Sequence, residues 1–483
     1  MRSRIDRHLG AALAGIAVGP PGPSALRFGA EFAAEPSPPP EFSGRDYATF
    51  LLRVAADIEH SLMVQYLFAA YSLGRPDAPA ALQAQARAWQ ETILGIAKEE
   101  MAHLVTVQNL LIALGGPLSF DREDYPNTNP FYPFGFKLRP ASLESLATYV
   151  CAESPAVWDD AEAQEIKERA LAATGAPVNR VGELYAELSR VLSDPALVPD
   201  DAFGADSVAF QATWDEWGRG YREGQRGREA MGGLRDLPAP ELLILPAGSR
   251  EDAVTALGLI GEQGEAFETP ADEDESHFRR FLAIYRAMRA LGDDLAAVVR
   301  PVATNPTTAA MGDTDPADAD TATPITHPEA RLWAHLFNVR YRKLLVSLSH
   351  AFDLSNDPTD RTTLGPRGAL VHHCFAEMYQ LRAIAGLIVR LPLDPASPDG
   401  PRAGPPFQMP YTLALPHAER DRWRLHRDIL DGAAGVLNRL KELGVSGEGQ
   451  DYLLALAQAD EIERGQVEQL IAGVAPRDGE ASP

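Results

Sequence analysis

The fold is decided by residues 98–116, whose sequence is KEEMAHLVTVQNLLIALGG. Apolar residues recur here at steps of three and four, which predicts an amphipathic helix that ends at a glycine pair. The apolar stripe comprises Ile96, Val107, Leu110 and Leu114. Glu100 and His103 lie on the same stripe, three residues apart, so both side chains could bind one metal ion. The alternatives are a charged helix face and a core histidine with its hydrogen bonds satisfied.

An upstream helix, predicted over residues 46–73, has the same feature. Its inward positions are held by Leu52, Ala55, Leu62, Tyr66, Ala69 and Leu73. Glu59 occupies the inward position between Ala55 and Leu62. A buried carboxylate is costly unless it meets a cation, an ion-pair partner or a proton. Together with Glu100 and His103, Glu59 therefore predicts half of a carboxylate and histidine metal site in a helix bundle.

Two later segments are candidates for the other half of this site. GLIGEQGEAF, residues 258–267, has Glu262 and Glu265 three apart, and its glycines favour a close approach of the helix backbone to another helix or a ligand. DEDESHFRRFLAIY has His277 at a helix start, with Asp274 three residues before it. Asp274 also has a simpler explanation, since acids at a helix start complement the helix dipole.

Apolar periodicity alone predicts surface positions for three further glutamates. In VGELYAELSRVL, residues 181–192, the inward positions are Val181, Leu184, Leu188 and Val191. Glu183 and Glu187 fall between them, so the periodicity favours solvent for both. Glu99 lies off the stripe of its own helix and is likewise expected in solvent.

Composition excludes several classes of function. The 483 residues have a formal net charge of −24, which disfavours binding to nucleic acids and to anionic membrane surfaces. No apolar run approaches the length of a membrane span. The two cysteines, Cys151 and Cys374, lie in apolar segments and are expected to be buried free thiols. The N-terminus resembles a signal peptide, but Asp6 interrupts its charged region, and Pro20 and Pro21 follow directly after its apolar region. The expected location is therefore the cytoplasm.

The remaining patterns are helical, and no convincing series of strands occurs, which predicts an all-α protein. Further helices are predicted at about 142–152, 156–173, 178–194, 207–230, 250–267, 274–291, 328–353, 366–390, 417–443 and 449–473. Residues 305–326 are small, polar and acidic, which is typical of a surface loop or linker. The predicted organisation is an N-terminal extension (1–44), a metal-binding bundle (45–300), a linker (301–326) and a C-terminal helical region that packs on the bundle (327–483).

Several runs in this chain resemble a known family. They are DIEHSLMVQYLFAAYSLG, IAKEEMAHLVTVQNLLIALGG, VGELYAEL, IGEQGEAF, SHFRRFLAIY and AGPPFQ, in that order within residues 45–410. The family is the ferritin-like domain of the iminophenylpyruvate dimer synthase type, which is found in bacterial bisindole pigment pathways. The resemblance implies a ferritin-like four-helix bundle with a metal site and an additional C-terminal helical region.

The resemblance also implies a set of metal ligands. Carried over residue by residue, the family's ligands fall on Glu59, Glu100, His103, Glu183, Glu265 and His277, which reverses the pattern-based expectation for Glu183. Glu262 is then expected to orient a ligand or to replace one. This chain has Ala266 and Asp274 where the family usually has glycine and often has glutamate, and this leaves the partner carboxylate of His277 open.

The function implied is that of a metal-dependent oxidoreductase. One or two iron ions, with manganese as the alternative metal, would activate oxygen or peroxide to oxidise or couple an amino-acid-derived substrate in bacterial secondary metabolism. The expected partner is a small-molecule substrate, with no nucleic acid and no membrane, and the oligomeric state stays open, with a dimer among the alternatives. Candidate lids are the aromatic loop 121–140 and the segment Phe210–Trp217. The alternatives are a metal storage bundle and a non-catalytic scaffold of a biosynthetic complex.

Overall fold

A computed structural model describes residues 38–122, 132–218, 240–265, 276–309, 322–356, 365–409, 413–445 and 447–474, with only the backbone of Ala205 and Glu265. These residues form twelve α-helices, three short 3₁₀ turns and one pair of two-residue strands. The prediction of an all-α architecture is therefore confirmed. Among the described helices, none has an apolar stretch long enough to cross a membrane.

Eight helices form the N-terminal part of the chain. They are α1 (Gly44–Tyr71), α2 (Ala80–Ala113), α3 (Leu143–Ala152), α4 (Ala161–Thr174), α5 (Val181–Ser193), α6 (Trp214–Trp217), α7 (Arg250–Glu265) and α8 (His277–Leu291). The first two helices form a hairpin, because only eight residues, 72–79, connect them. Helix α5 packs against α1 and α7, while α3 packs against α4 and α8. All the inward residues predicted for α1 are buried.

Four long helices form the C-terminal part: α9 (Pro328–Asp353), α10 (Pro366–Ile388), α11 (Glu419–Leu443) and α12 (Glu448–Gly473). Helix α9 packs against α10 and α11, and α11 packs against α12. This part shares one continuous apolar core with the N-terminal helices. A buried polar contact also joins the two parts, since His60 Nε2 of α1 lies 2.5 Å from the hydroxyl of Tyr341 in α9. The boundaries of the four predicted domains stay predictions.

The segment between the two parts is less exposed than its composition suggests. Strands β1 (Pro306–Thr307) and β2 (Thr323–Pro324) pair in parallel. Asn305 and Thr307 are buried, and the side chain of Asn305 accepts a hydrogen bond from the amide of Leu138 at 2.8 Å. The expectation of a surface loop is therefore wrong for residues 305–308, while 310–321 lie outside the described residues.

The helix predicted over residues 207–230 is also wrong where the structure describes it. Ala205–Phe210 form a 3₁₀ turn, and the next α-helix is the single turn Trp214–Trp217. Here a side chain from α2 makes hydrogen bonds with backbone groups that would bond within the helix if the helix were continuous. The amide of Ala212 donates to Asn109 Oδ1 of α2 at 2.8 Å, and Asn109 Nδ2 donates to the carbonyl of Ala212 at 2.8 Å. Residues 219–230 lie outside the described part.

Candidate metal centre

Two groups of acidic and imidazole side chains converge between the N-terminal helices. One group is Glu59, Glu100 and His103, and the other is Glu100, Glu153 and His277. Within each group the potential ligand atoms all lie within 4.8 Å of one another. Glu100 belongs to both groups, so the arrangement offers two adjacent metal positions that share one carboxylate.

Each of these side chains is placed by a different structural feature. Glu59 lies on α1, and Glu100 and His103 face it from α2. Glu153 is the C-cap residue of α3. His277 is the first residue of α8, where the hydroxyl of the N-cap residue accepts a hydrogen bond from the amide three residues on, at 3.3 Å. All five side chains are at most 3% exposed, so water cannot screen their charges.

Both histidines present the same ring atom to the carboxylates. His103 Nδ1 lies 3.1 Å from Glu100 Oε2 and 3.4 Å from Glu59 Oε2. His277 Nδ1 lies 3.0 Å from Glu100 Oε1 and 3.8 Å from Glu153 Oε2. The two imidazole rings are 5.6 Å apart at their centroids and inclined by 28°. The Nδ1 atoms therefore flank the shared carboxylate from two sides.

The other ring nitrogen of each histidine has a partner outside the centre. His103 Nε2 lies 2.7 Å from Gln263 Oε1 of α7. His277 Nε2 lies 3.1 Å from Glu99 Oε2. Burial opposes ionisation of Glu99, but Arg280 and His277 outweigh it and hold the pKa of Glu99 at about 2. An Nε2–H that donates to these oxygens leaves the Nδ1 lone pair for a metal ion, which is the usual arrangement behind metal-bound histidines.

Two tyrosine hydroxyls donate hydrogen bonds to the outer carboxylates, which are those of Glu59 and Glu153. Tyr185 of α5 donates to Glu59 Oε1, and Tyr66 of α1 donates to Glu153 Oε1 at 2.5 Å. Burial and the adjacent carboxylates raise the pKa of both hydroxyls well above its ordinary value, so both keep their protons. One oxygen of each carboxylate is thereby occupied, and the other oxygen faces the centre.

The atoms that face the centre fit a cation. Glu59 Oε2, Glu100 Oε1 and His277 Nδ1 are buried, and in the described part of the chain none of them has a hydrogen-bond partner outside this group. Burial and the charge of Glu100 raise the pKa of Glu59 to about 8. Burial lowers the pKa of His103, but the adjacent carboxylates of Glu100 and Glu59 outweigh burial and raise it to about 10. Three carboxylates and two imidazoles are a donor set for iron or manganese, and a divalent ion would satisfy all of these atoms.

The space beside these ligands is small. A cavity of about 10 Å³ touches all five side chains and is closed by helices α5 and α7, with Gly182, Gly261 and Gly264 in its wall. This volume is enough for about one water-sized molecule. A Cβ atom on Gly264 would lie 3.2 Å from Glu153 Oε2, so the glycine allows α7 to approach the carboxylate closely. Gly258 has open space, so the close approach predicted from the glycines holds for Gly264 and not for Gly258.

Comparison with known proteins identifies the fold that surrounds these residues. Residues 52–286 match the Ferritin-like family model, and they contain all five potential ligands. The chain carries a ferritin-like domain. The sequence-based prediction of this fold is thus confirmed.

Two curated proteins of secondary metabolism are relatives. A dichlorochromopyrrolate synthase from Lentzea aerocolonigenes is 27% identical over 405 residues, which is 76% of this chain and 36% of that protein. A 2-imino-3-(indol-3-yl)propanoate dimerase from Chromobacterium violaceum is 28% identical over 296 residues, 54% of this chain and 23% of that protein. The matches thus span about a third and a quarter of these relatives, and they agree with the resemblance to the iminophenylpyruvate dimer synthase type.

A crystal structure of a ferritin-like protein from Caulobacter vibrioides also matches. Its sequence is 18% identical, the match covers 72% of this chain and 95% of that chain, and the TM-score is 0.37.

The ferritin-like domain brings together four of the six predicted ligands: Glu59, Glu100, His103 and His277. Glu183 is not among them. Its carboxylate pairs with Arg180 at 3.0 Å and is partly exposed, while the buried residues of α5 include Leu184 and Leu188, as the periodicity predicts. Tyr185 is the residue of α5 that lines the cavity and contacts Glu59, and the structure does not bring Glu183 together with the other predicted ligands that it describes.

Three residues around α7 complete the comparison with the predicted site. Glu262 is half-buried and does not line the cavity, whereas the adjacent Gln263 contacts His103. Gln263 is therefore the residue of this pair that contacts His103, and the orienting role of Glu262 stays a prediction. The side chain of Glu265 and the whole of Asp274 lie outside the described residues, so their roles stay predictions.

Sequence patterns missed two glutamates of the ferritin-like domain. Glu99 was expected in solvent, but it is 3% exposed and pairs with His277 and Arg280. Its partners are distant in the sequence, so periodicity along its own helix could not identify them. Glu153 was also missed, although a signal exists, because a carboxylate at the C-terminal end of a helix opposes the helix dipole and needs a compensating partner.

Proposed function

We propose that this chain is a di-metal oxidoreductase that couples imines derived from aromatic amino acids, with iron as the metal. The observation that supports it is the sharing of Glu100 between two sets of potential ligands, because paired carboxylates and imidazoles suit two adjacent iron ions. The names of the two biosynthetic relatives support the substrate class.

The described residues would perform distinct tasks in this function. Glu59, Glu100 and His103 would hold one ion, and Glu153 and His277 would hold the other together with Glu100. The bound iron would supply oxidation by oxygen or peroxide. Gln263 and Glu99 would keep the histidine rings oriented, and Tyr185 and Tyr66 would keep one oxygen of each outer carboxylate away from the metal.

The electron balance of such a coupling is simple. Joining two imine molecules by a carbon–carbon bond releases two protons and two electrons. One molecule of peroxide accepts both and yields two molecules of water, whereas dioxygen accepts them and yields peroxide. The cavity beside the ligands holds about one water-sized molecule, which suits the oxidant and not the imine. The proposal therefore places the imine outside the innermost cavity.

The proposal also covers the partners of the enzyme and its location in the cell. A small-molecule imine is its partner, with neither nucleic acid nor membrane. The cytoplasm suits it, because both cysteines are buried free thiols, as expected of a protein from a reducing compartment.

The test uses the whole chain loaded anaerobically with ferrous iron. Oxygenated buffer is then added with and without 2-imino-3-(indol-3-yl)propanoate, generated from L-tryptophan by an amino-acid oxidase, while absorbance and dissolved oxygen are followed. We expect an absorption band that forms with oxygen and decays faster with the imine, together with a coupled product. Slow growth of mineral absorbance, unaffected by the imine, would instead identify a storage protein. Failure to bind iron would leave the scaffold alternative.

A further inference from the structure

A second cavity shares no lining residue with the cavity of the candidate metal centre. It has a volume of about 30 Å³ and lies where α1 and α3 meet the segment that follows residue 131. Its lining residues are Gln65, Phe134, Gly135, Lys137, Arg139, Ser145, Thr148, Tyr149 and Thr174. A space of this size holds about two water molecules, which is the size of a carboxylate group and too small for an aromatic ring.

The charge of this cavity is opposite to that of the chain. Lys137 and Arg139 are its charged groups, and no carboxylate lines it, although the whole chain has a net charge of −24. Burial and the positive charge of Arg139 lower the pKa of Lys137. Within the described residues no carboxylate pairs with either cation. Two like charges at one cavity repel each other, and an anion between them would remove that cost.

The cavity is held in shape by its own hydrogen bonds. The amide of Lys137 donates to Gln65 Oε1 at 3.1 Å, and the hydroxyl of Tyr149 donates to the carbonyl of Gln65 at 3.3 Å. Arg139 donates one N–H to the carbonyl of Ala173 at 2.6 Å, which anchors the guanidinium and leaves its other N–H groups for a ligand. The backbone of Lys137 is therefore tied to α1, and the guanidinium of Arg139 is tied to α4.

One wall of the cavity is aromatic. The rings of Phe134 and Tyr149 lie 6.1 Å apart at their centroids, inclined by 39°. Phe134 lines the cavity and is half-buried, so part of its side chain is open to solvent. A ligand whose carboxylate enters between the two cations could place an apolar group against this ring.

We infer that this cavity binds the carboxylate group of a small aromatic acid, with the ring of the ligand lying against Phe134 at the mouth. The inference is independent of the proposed function, because no potential metal ligand lines the cavity. Binding here would be set by charge and by shape, and would persist in protein freed of metal.

The test is isothermal titration calorimetry on the full chain after treatment with a chelator, which removes binding of carboxylates to a metal. The probe is phenylacetate, and its neutral analogue is phenylacetamide. We expect phenylacetate to bind and phenylacetamide to bind at least about tenfold more weakly, because only the acid has a negative charge that pairs with the two cations. Equal binding of the two compounds would overturn the inference.

Substitutions of the two cations test whether phenylacetate binds at this cavity. Lys137→Gln and Arg139→Gln should each weaken phenylacetate binding about tenfold. The control is Arg87→Gln, which changes the net charge by the same amount at an exposed position of α2. Lys137 is exposed, so Lys137→Gln should leave the fold intact. This variant tests the inference even if Arg139→Gln destabilises the fold by removing the hydrogen bond that Arg139 makes. Unchanged affinity in Lys137→Gln, or an equal loss in Arg87→Gln, would contradict the inference.

Discussion

Oε1 of Glu100 lies 3.0 Å from Nδ1 of His277, and neither atom has any other hydrogen-bond partner in the described part of the chain. The second oxygen of Glu100 lies 3.1 Å from Nδ1 of His103. One carboxylate thus lies between two imidazoles in a buried site. In the absence of a metal such a group must be balanced by protons, and a metal ion must displace them.

Metal binding should therefore release protons. The pKa of Glu59 is raised to about 8, that of His103 to about 10, and that of His277 well above its ordinary value, so all three hold protons at pH 7 in metal-free protein. We expect roughly two to three protons to be released per chain on saturation with a divalent ion, because ligands bind deprotonated. Titration in weak buffer with a pH indicator measures the release. Metal uptake without release would contradict this electrostatic picture.

The same groups predict how the stability of metal-free protein depends on pH. A raised pKa means that the folded state holds the proton more tightly than the unfolded state, so stability falls as pH rises through the interval between the two values. That interval is 4.5 to about 8 for Glu59 and 6.5 to about 10 for His103. The Tm of metal-free protein should therefore fall between pH 6.5 and pH 9, and Glu59→Gln should make this fall shallower. A Tm that rises with pH over this range would refute the assignment.

Gln263 should control metal affinity without contacting the metal. Its Oε1 lies 2.7 Å from His103 Nε2, and Gln263→Leu would leave that buried N–H without its acceptor. We expect metal affinity to fall about 10–100-fold, the usual effect of removing such a partner. Competition with a chromophoric chelator measures the affinity. The matched control is Glu262→Gln at the adjacent half-buried position, which should bind metal as the unaltered chain does. If Glu262→Gln proves the more damaging change, the orienting role returns to Glu262.

Two glycines of α7 should respond differently to alanine. A Cβ on Gly264 would lie 3.2 Å from Glu153 Oε2, whereas one on Gly258 would meet nothing within 4 Å. We expect Gly264→Ala to displace Glu153 and reduce the metal bound beside it. Gly258→Ala should keep the full metal content and stabilise the fold by up to about 1 kcal/mol, since alanine favours a helix interior. Metal analysis and thermal unfolding of both variants check this, and equal metal contents would contradict it.

How much of the site was predictable depends on where each residue lies along its helix. Glu59, Glu100 and His103 interrupt apolar stripes, and a charged group on a buried stripe is visible in the sequence. His277 followed from the resemblance and from its place at a helix start. These residues could be predicted because their own helices determine which way they face.

The residues that escaped prediction depend on contacts between helices. Gln263 and Glu99 meet histidines 160 and 178 residues away in sequence, so no local periodicity reports them. The family pattern points to Glu183, but Tyr185, two residues later, is the residue of α5 that contacts Glu59. Only the packing of α5 on α1 decides between the two positions. Glu153 follows the end of α3, where helical periodicity no longer applies.

The most direct test of the shared site is the number of metal ions bound per chain in single variants, measured by elemental analysis after anaerobic loading. We predict two ions for the unaltered chain, one each for Glu59→Gln and Glu153→Gln, and none for Glu100→Gln, since Glu100 belongs to both groups of ligands. Glu183→Gln, on the neighbouring helix, should still bind two. If Glu100→Gln retains as many ions as Glu59→Gln, or if Glu183→Gln loses one, Glu100 is not the residue that joins the two metal positions.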